Sequence, residues 1–254
     1  KMVHKRVERN IERIFFESFR EYDHYMKAYF GLTVLSAIMD FDHKANFISG
    51  TLHSSIIKSH RRFTYTEVHD LLGKKKKGDD PVIQTLTDMH HLSQLLRKKR
   101  FKNGSVDFQV PEPEILMDAT GHVKSIIISA HNSAHELIEE FMLAANQFVA
   151  LSLHERGIPS IHRIHESPDP ARLETFNDYI ASFGLKIPSP IRSIDLQALL
   201  KKIHDRPEER VVNTLLLRTM KKARYSESDP GHFCLGFPHY AHFTSPIRRY
   251  PDLV

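Results

Sequence analysis

Two adjacent arginines, Arg248 and Arg249, follow Thr244-Ser245-Pro246 close to the end of the chain, with His242, Phe243 and Tyr250 around them. Ser245 or Thr244 is a good helix N-cap and Pro246 a good first helical residue, so the spacing predicts a helix start with free backbone N–H groups. Such an end attracts an anion, and a guanidinium fork matches a phosphate in geometry as well as charge. A plain pair of surface arginines fits the same residues, and on spacing alone the two readings stay open.

A second cluster sits on Leu137–Leu151, a segment apolar on most of its surface that nevertheless carries Glu139, Glu140 and Asn146. A buried carboxylate there must be paired, neutral, metal-bound, or at the end facing a cleft. For Glu139, pairing to a core arginine such as Arg218 is the plain alternative to a binding role. Other chemistries are discounted: the chain has no CxxC or His/Cys zinc spacing, no GxxxxGK[ST] loop and no GxGxxG. His90-His91 lack ligand spacing, and Asp79-Asp80 lie in a charged loop.

Composition narrows the partners. A net charge of +5 and a pI near 9.2 favour a polyanion, and eighteen histidines add latent charge below neutral pH. The single cysteine, Cys234, excludes an intrachain disulfide framework and fits a reducing compartment. No apolar run reaches the length of a membrane span, so a soluble, cytoplasmic protein without a membrane partner is expected.

These residues need elements to hold them. Residues 1–31 read as a basic amphipathic helix, with Val3, Val7, Ile11, Ile14, Phe15 and Phe19 on one stripe. Leu32–Met39 and Ala45–His53 read as paired strands. Thr64-Tyr65-Thr66-Glu67 is a capping box opening a helix that stops at Gly73, and the Lys74–Lys77 run is a solvated loop. A helix over 82–101 follows, then strands at Val106–Val110, Glu114–Met117 and Val123–Ser129. Ser133-Ala-His-Glu136 is a second capping box for the long apolar helix, closed at Gly157. Ile161–His165 reads as a strand, with helices from Asp169-Pro170 to Phe183, Asp195 to His204, and Pro207 to Arg224. Strands early and helices late argue for an α+β fold.

Several blocks then fall in an order that resembles the RNB catalytic domain, the exoribonuclease domain of the ribonuclease II and ribonuclease R family. They are Arg62–Val68, Val106-Asp107-Phe108, Leu137–Asn146, Arg163–Pro168, Leu217-Arg218, Ala223–Ser226, Gly231–Gly236 and the terminal His242–Asp252. The match covers about residues 33–254, so 32–254 are expected to be a partial RNB domain with a mixed or antiparallel sheet packed with several helices. Residues 1–31 are not matched.

The resemblance implies processive, Mg²⁺-dependent hydrolysis of single-stranded RNA from its 3′ end to nucleoside 5′-monophosphates. Arg248 corresponds to the arginine on the scissile phosphate, and Tyr65 to the tyrosine near the 3′-terminal nucleotide. Arg249 would hold a neighbouring phosphate, Phe108 would pack on a base, and Glu139 would contact the RNA, accepting from a ribose hydroxyl. Tyr225, His232, Tyr240, His242 and Ser245 lie in matching blocks, with ordering of the phosphate-binding turn as one role. The family's Mg²⁺-binding aspartate cluster does not appear: Asp23 is isolated, and Asp40 and Asp42 sit at a hairpin. The chain opens on Lys1 and stops at Val254, so a piece of a longer protein is expected, with the aspartates and flanking OB-type RNA-binding domains outside it. A catalytically inactive RNB-like RNA-binding protein is the alternative; a polyanion-binding structural domain would require the ordered blocks to be coincidence.

Overall fold

The computed structural model describes residues 32–58, 61–73, 80–106, 108, 113–118, 120–128, 131–246 and 248–252. The expected N-terminal helix and the Lys74–Lys77 loop lie outside them.

Strands β1 (Leu32–Phe41) and β2 (Phe47–Ile57) form an antiparallel hairpin. Asp42 organises its turn, accepting from the N–H groups of Lys44 (2.8 Å) and Asn46 (2.7 Å) and from the Asn46 side-chain amide (2.8 Å). Those bonds, the Asn46 side chain foremost, hold its carboxyl down at about 2. Gly50 is required where β2 meets a helix, because a Cβ there would come within 2.5 Å of the Phe148 ring.

Helix α1 (Tyr65–Gly73) opens on the expected capping box: Glu67 N–H donates to Thr64 Oγ1 at 3.2 Å, and Thr64 N–H to Glu67 Oε2 at 2.6 Å. Helix α2 (Pro81–Lys102) is capped by Asp80, which accepts from Val82 N–H at 2.9 Å. Strands β3 (Pro113–Met117) and β4 (Val123–Ile128) pair across an Asp118 turn. The expected 106–110 strand is not formed at its described positions; Val106 N–H instead donates to the Cys234 carbonyl at 2.7 Å.

Helix α3 (Ser133–Glu155) is the central strut, and its cap lies one residue earlier than the Ser133 box predicts. Asn132 accepts from Ala134 and His135 N–H, while His135 reaches back to Asn132 N–H. The Ser133 hydroxyl is free to bond His69 Nδ1 at 2.9 Å, which ties α1 to α3.

The last part holds β5 (His162–Ile164), α4 (Pro170–Ala181), α5 (Ser193–Ile203), α6 (Glu209–Thr219) and β6 (Arg224–Ser226). Helix α6 is shorter than the expected 207–224. Met220 turns extended so that Arg224–Ser226 can pair antiparallel with β5, a long-range contact that local periodicity does not encode. The α+β class holds, its antiparallel pairing taking the form of three two-stranded ladders among the described residues.

Two clusters carry the packing. Leu173, Phe176 and Ile180, then Leu196, Leu199 and Ile203, then Val212 and Leu216, recur at helical spacing and bury one stripe each of α4, α5 and α6. Met89 and Leu92 of α2 meet Leu137 and Phe141 of α3 beneath Ala45. Each such side chain contributes about 1.5–3 kcal/mol. Among the described residues no helix is long and apolar enough to cross a membrane.

Candidate functional site

One buried amide organises the arginine-bearing turn. Asn146, in the middle of α3, accepts through Oδ1 from Phe243 N–H (2.8 Å), Thr244 N–H (2.9 Å) and the Thr244 hydroxyl (3.2 Å). Its Nδ2 donates to Tyr240 Oη at 3.0 Å. A neutral amide can accept from two backbone donors through its oxygen while its nitrogen gives a hydrogen to a phenol. The polar residue that interrupts an apolar helix is thus a bracket for the loop over 240–244.

Past the bracket the chain does not begin the expected helix. Ser245 takes a left-handed backbone (φ 55°) instead of an N-cap geometry, and among the described residues beyond it the regular turn is the 3₁₀ stretch Tyr250–Asp252. The reason lies in the side chains. Thr244 spends its N–H and hydroxyl on Asn146, and Arg249 donates through Nη2 to the Thr244 carbonyl. Arg249 Nε donates to Asp252 at 2.6 Å, closing the loop from the far side. The adjacent arginines therefore divide: Arg249 locks the turn, whereas Arg248 is exposed and has no hydrogen bond or ion pair among the described residues. The Ser245 hydroxyl is buried with no protein partner.

Aromatic rings back this turn. Tyr225 Oη lies 2.7 Å from His242 Nδ1, Tyr240 stands edge-on to His242 and to His232, and His232 stacks on His165 at 5.2 Å. Gly231 sets His232 in place: its φ is +85°, and a Cβ would come within 2.8 Å of the Phe237 carbonyl. Burial, reinforced by nearby cations, pushes the His232 and His242 imidazoles down to about 4. Both are neutral at pH 7, so they serve as packing and hydrogen-bonding groups, and the latent charge expected of them is absent. Burial raises the Tyr240 phenol, against the Asn146 hydrogen bond.

Phe108 reaches this train from the opposite side. Half-buried against the α4–α6 core, it lines a cavity of about 530 Å³ shared with His165, Cys234, Arg172, Arg218 and Lys221. Burial holds the Cys234 thiol up at about 12, so it is inert there.

Tyr65 and Glu139 form a separate group at the N-terminal half of α3. Tyr65 stacks on His135 (4.0 Å, 17° between planes), and His131 Nε2 lies 3.6 Å from Glu139. Glu139 is half-exposed, 3.5 Å from Arg100 Nη2. Its neighbour Glu140 is buried and receives Arg100 at 2.5–3.2 Å, while Arg100 Nη1 donates to Ser105 at 2.6 Å. The buried carboxylate is thus paired, but to Arg100 and not to Arg218. Burial raises the Glu140 carboxyl, opposed by that arginine. Arg100 was missed, although a signal existed: Arg97 and Arg100 on α2 repeat the spacing of Glu136 and Glu139-Glu140 on α3, and Arg97 meets Glu136 at 3.2 Å.

Glu139 and Asn146 are seven residues apart, two helical turns and roughly 10 Å along one face of α3. The two groups of predicted residues therefore sit on one strut, and Tyr240 feels the Glu139 charge. Among the described residues no contact joins Tyr65 to Phe108 or Arg248. Two sets of three metal-ligating side chains occur there, His154/Asp229/His239 and His204/Asp205/Glu209. Neither is a carboxylate cluster beside the arginines, and Asp42 is committed to its own turn. The described residues do not fit a Mg²⁺ site of that kind.

Comparison with known proteins places these features in a family. The RNB domain profile matches residues 31–254. Ribonuclease R 1 of Lactococcus lactis is 38% identical over 232 residues, covering 86% of this chain and 28% of its own length. Ribonuclease R of Aquifex aeolicus is 38% identical over 222 residues, 85% of this chain and 31% of its own. Mycoplasma genitalium RNase R, solved in complex with ribose methylated single-stranded RNA, superposes with a TM-score of 0.79 at 31% identity, over 87% of this chain and 36% of that one. The chain thus spans less than a third of the length of these two curated relatives.

Proposed function

The chain belongs to the RNB domain family, and from that premise we propose that its protein is a 3′→5′ exoribonuclease that degrades single-stranded RNA processively to nucleoside 5′-monophosphates. The observation that carries the reading is the division between the two arginines: one is spent on closing the turn, the other is left exposed beside it. A guanidinium without a partner among the described residues, on a turn fixed by a buried bracket, is a preorganised phosphate contact, and such a contact acts where charge develops in the transition state. Arg249 adds its charge from the second rank while holding the loop.

Tyr65 is exposed enough to take the terminal nucleoside, and Phe108 offers a ring that any base can stack on. Glu139 accepts, on this reading, from a ribose 2′-hydroxyl, which DNA lacks. Tyr225, His232, Tyr240, His242 and Ser245 order the turn. Mg²⁺ is part of the proposal, with ligands outside the described residues; flanking OB-type domains and a cytoplasmic location belong to it in the same way. The test is a 5′-labelled single-stranded RNA incubated with the full-length protein in Mg²⁺ or EDTA and resolved on a gel. A metal-dependent ladder shrinking toward a short product, lost in Arg248→Ala while most RNA affinity stays, is expected. Near-wild-type turnover by Arg248→Ala refutes the role given to that residue. RNA bound but intact under both conditions favours the non-catalytic RNA-binding reading.

A further inference from the structure

A group of side chains unrelated to the arginine turn gathers where α3 ends. His154 lies in the last turn of α3, His162 opens β5, Asp229 follows β6, and His239 immediately precedes Tyr240. His239 Nδ1 is 2.6 Å from Asp229 Oδ2, and the His154 and His239 rings stack at 3.9 Å. The ligand atoms of His154, Asp229 and His239 all fall within 4.8 Å of one another.

Two further buried atoms lie beside the group. His162 is 7% exposed, and its Nδ1, 3.5 Å from Asp229 Oδ2, has no hydrogen-bond partner among the described residues. The second carboxylate oxygen, Asp229 Oδ1, is likewise buried without one. Leaving a buried donor or acceptor unpaired costs about 1–3 kcal/mol, and a cation held by Asp229 would give its carboxylate a partner.

We propose that His154, Asp229 and His239, backed by His162, form a binding site for a divalent transition-metal cation of the zinc type. An imidazole-rich set with one carboxylate selects zinc, nickel, cobalt or copper over magnesium or calcium. Tetrahedral bonds of 2.0–2.2 Å put ligand atoms roughly 3.4 Å apart, so separations that now run up to 4.8 Å need to close by about 1.4 Å at most. The cation takes the place of the proton between His239 and Asp229, which makes binding weaken as pH falls. It joins the end of α3 to β5 and to the segment entering Tyr240, and so braces the platform behind the Asn146 bracket.

The experiment uses tag-free full-length protein, stripped with chelator and titrated with Zn²⁺ against a chromophoric competitor in excess Mg²⁺. X-ray absorption on the zinc-loaded protein reads the ligand atoms. Histidine nitrogen in the shell is expected, with His154→Ala and Asp229→Asn each weakening binding by at least the roughly 10–100-fold that even an outer-shell partner is worth. His154 is exposed, so its variant tests the site without endangering the fold. His204→Ala, at the other histidine–carboxylate group, is expected to leave affinity unchanged. An all-oxygen shell, affinity unaltered by His154→Ala, or loss of binding in His204→Ala overturns the proposal.

Discussion

Replacing Asn146 by alanine tests whether one amide holds the arginine turn. The substitution deletes three accepted hydrogen bonds and one donated one, three of the four buried and the Phe243 bond part-buried. At about 1 kcal/mol net for each bond the loss is about 4 kcal/mol, and donors left without water would push it higher. That is a large part of the 5–15 kcal/mol typical of a domain, and at about 2–4 °C per kcal/mol it lowers Tm by roughly 8–16 °C. Urea denaturation reads the global cost, and hydrogen exchange at Phe243 and Thr244 reads the bracket itself. Those two amides are expected to lose protection out of proportion to the rest of α3, because their acceptor is gone while the helix ladder is intact. Asn146→Asp keeps the accepting oxygens and is expected to keep amide protection even where global stability falls, which separates lost packing from the lost bracket. A cost under about 1 kcal/mol in Asn146→Ala, with both amides as protected as before, would refute the argument.

Arg100→Leu strands the buried Glu140 carboxylate and is expected to cost about 3–5 kcal/mol in thermal denaturation, most of it recovered when Glu140→Leu is added; a single variant as stable as wild type overturns the pairing. His232 titrates near 6.5 when unfolded and at about 4 when folded, so the unfolded chain takes the proton first. Its contribution is full above pH 6.5 and is lost as pH falls to 4, about 3 kcal/mol for His232 and less for the more exposed His242. A urea midpoint flat between pH 7 and 4.5, or one unaffected by His232→Gln, contradicts this. Glu139→Ala is expected to narrow the preference for RNA over DNA several-fold in competition binding, and unchanged selectivity removes Glu139 from the ribose role.

What the sequence disclosed was mostly local. The Thr64–Glu67 box, the Asp42 and Asp118 turns, Asp169-Pro170 and the glycine at the end of α3 are short-range chemistry, and all sit where their residues predict. The failures share one cause, a long-range partner that overrides a local preference. Thr244-Ser245-Pro246 has the composition of a helix start, yet Asn146, about a hundred residues earlier, takes the capping groups of Thr244. Lys221–Arg224 continues a helical pattern, yet β5 draws Arg224–Ser226 into a ladder. Asn132 outcompetes Ser133 as a cap because His135 can answer it and Ser133 has a partner on α1. Glu139, Glu140 and Asn146 were legible as anomalies on an apolar helix, but the anomaly did not say which partner each would have.

The charge pattern of the site follows from the same packing. A histidine-rich motif around two arginines suggests an anion site whose strength grows on acidification. Burial removes that possibility at His232 and His242, which stay neutral down to about pH 4. The arginines that add to burial in depressing them, Arg163 at both and Arg249 at His242, are the charges that remain, and guanidinium does not titrate in the working range. Attraction for a phosphate at this turn should therefore depend on salt and hardly on pH between 5 and 8. The neutral His242 imidazole suits that arrangement: protonated, it would repel Arg249, which holds the Thr244 carbonyl on the turn that presents Arg248.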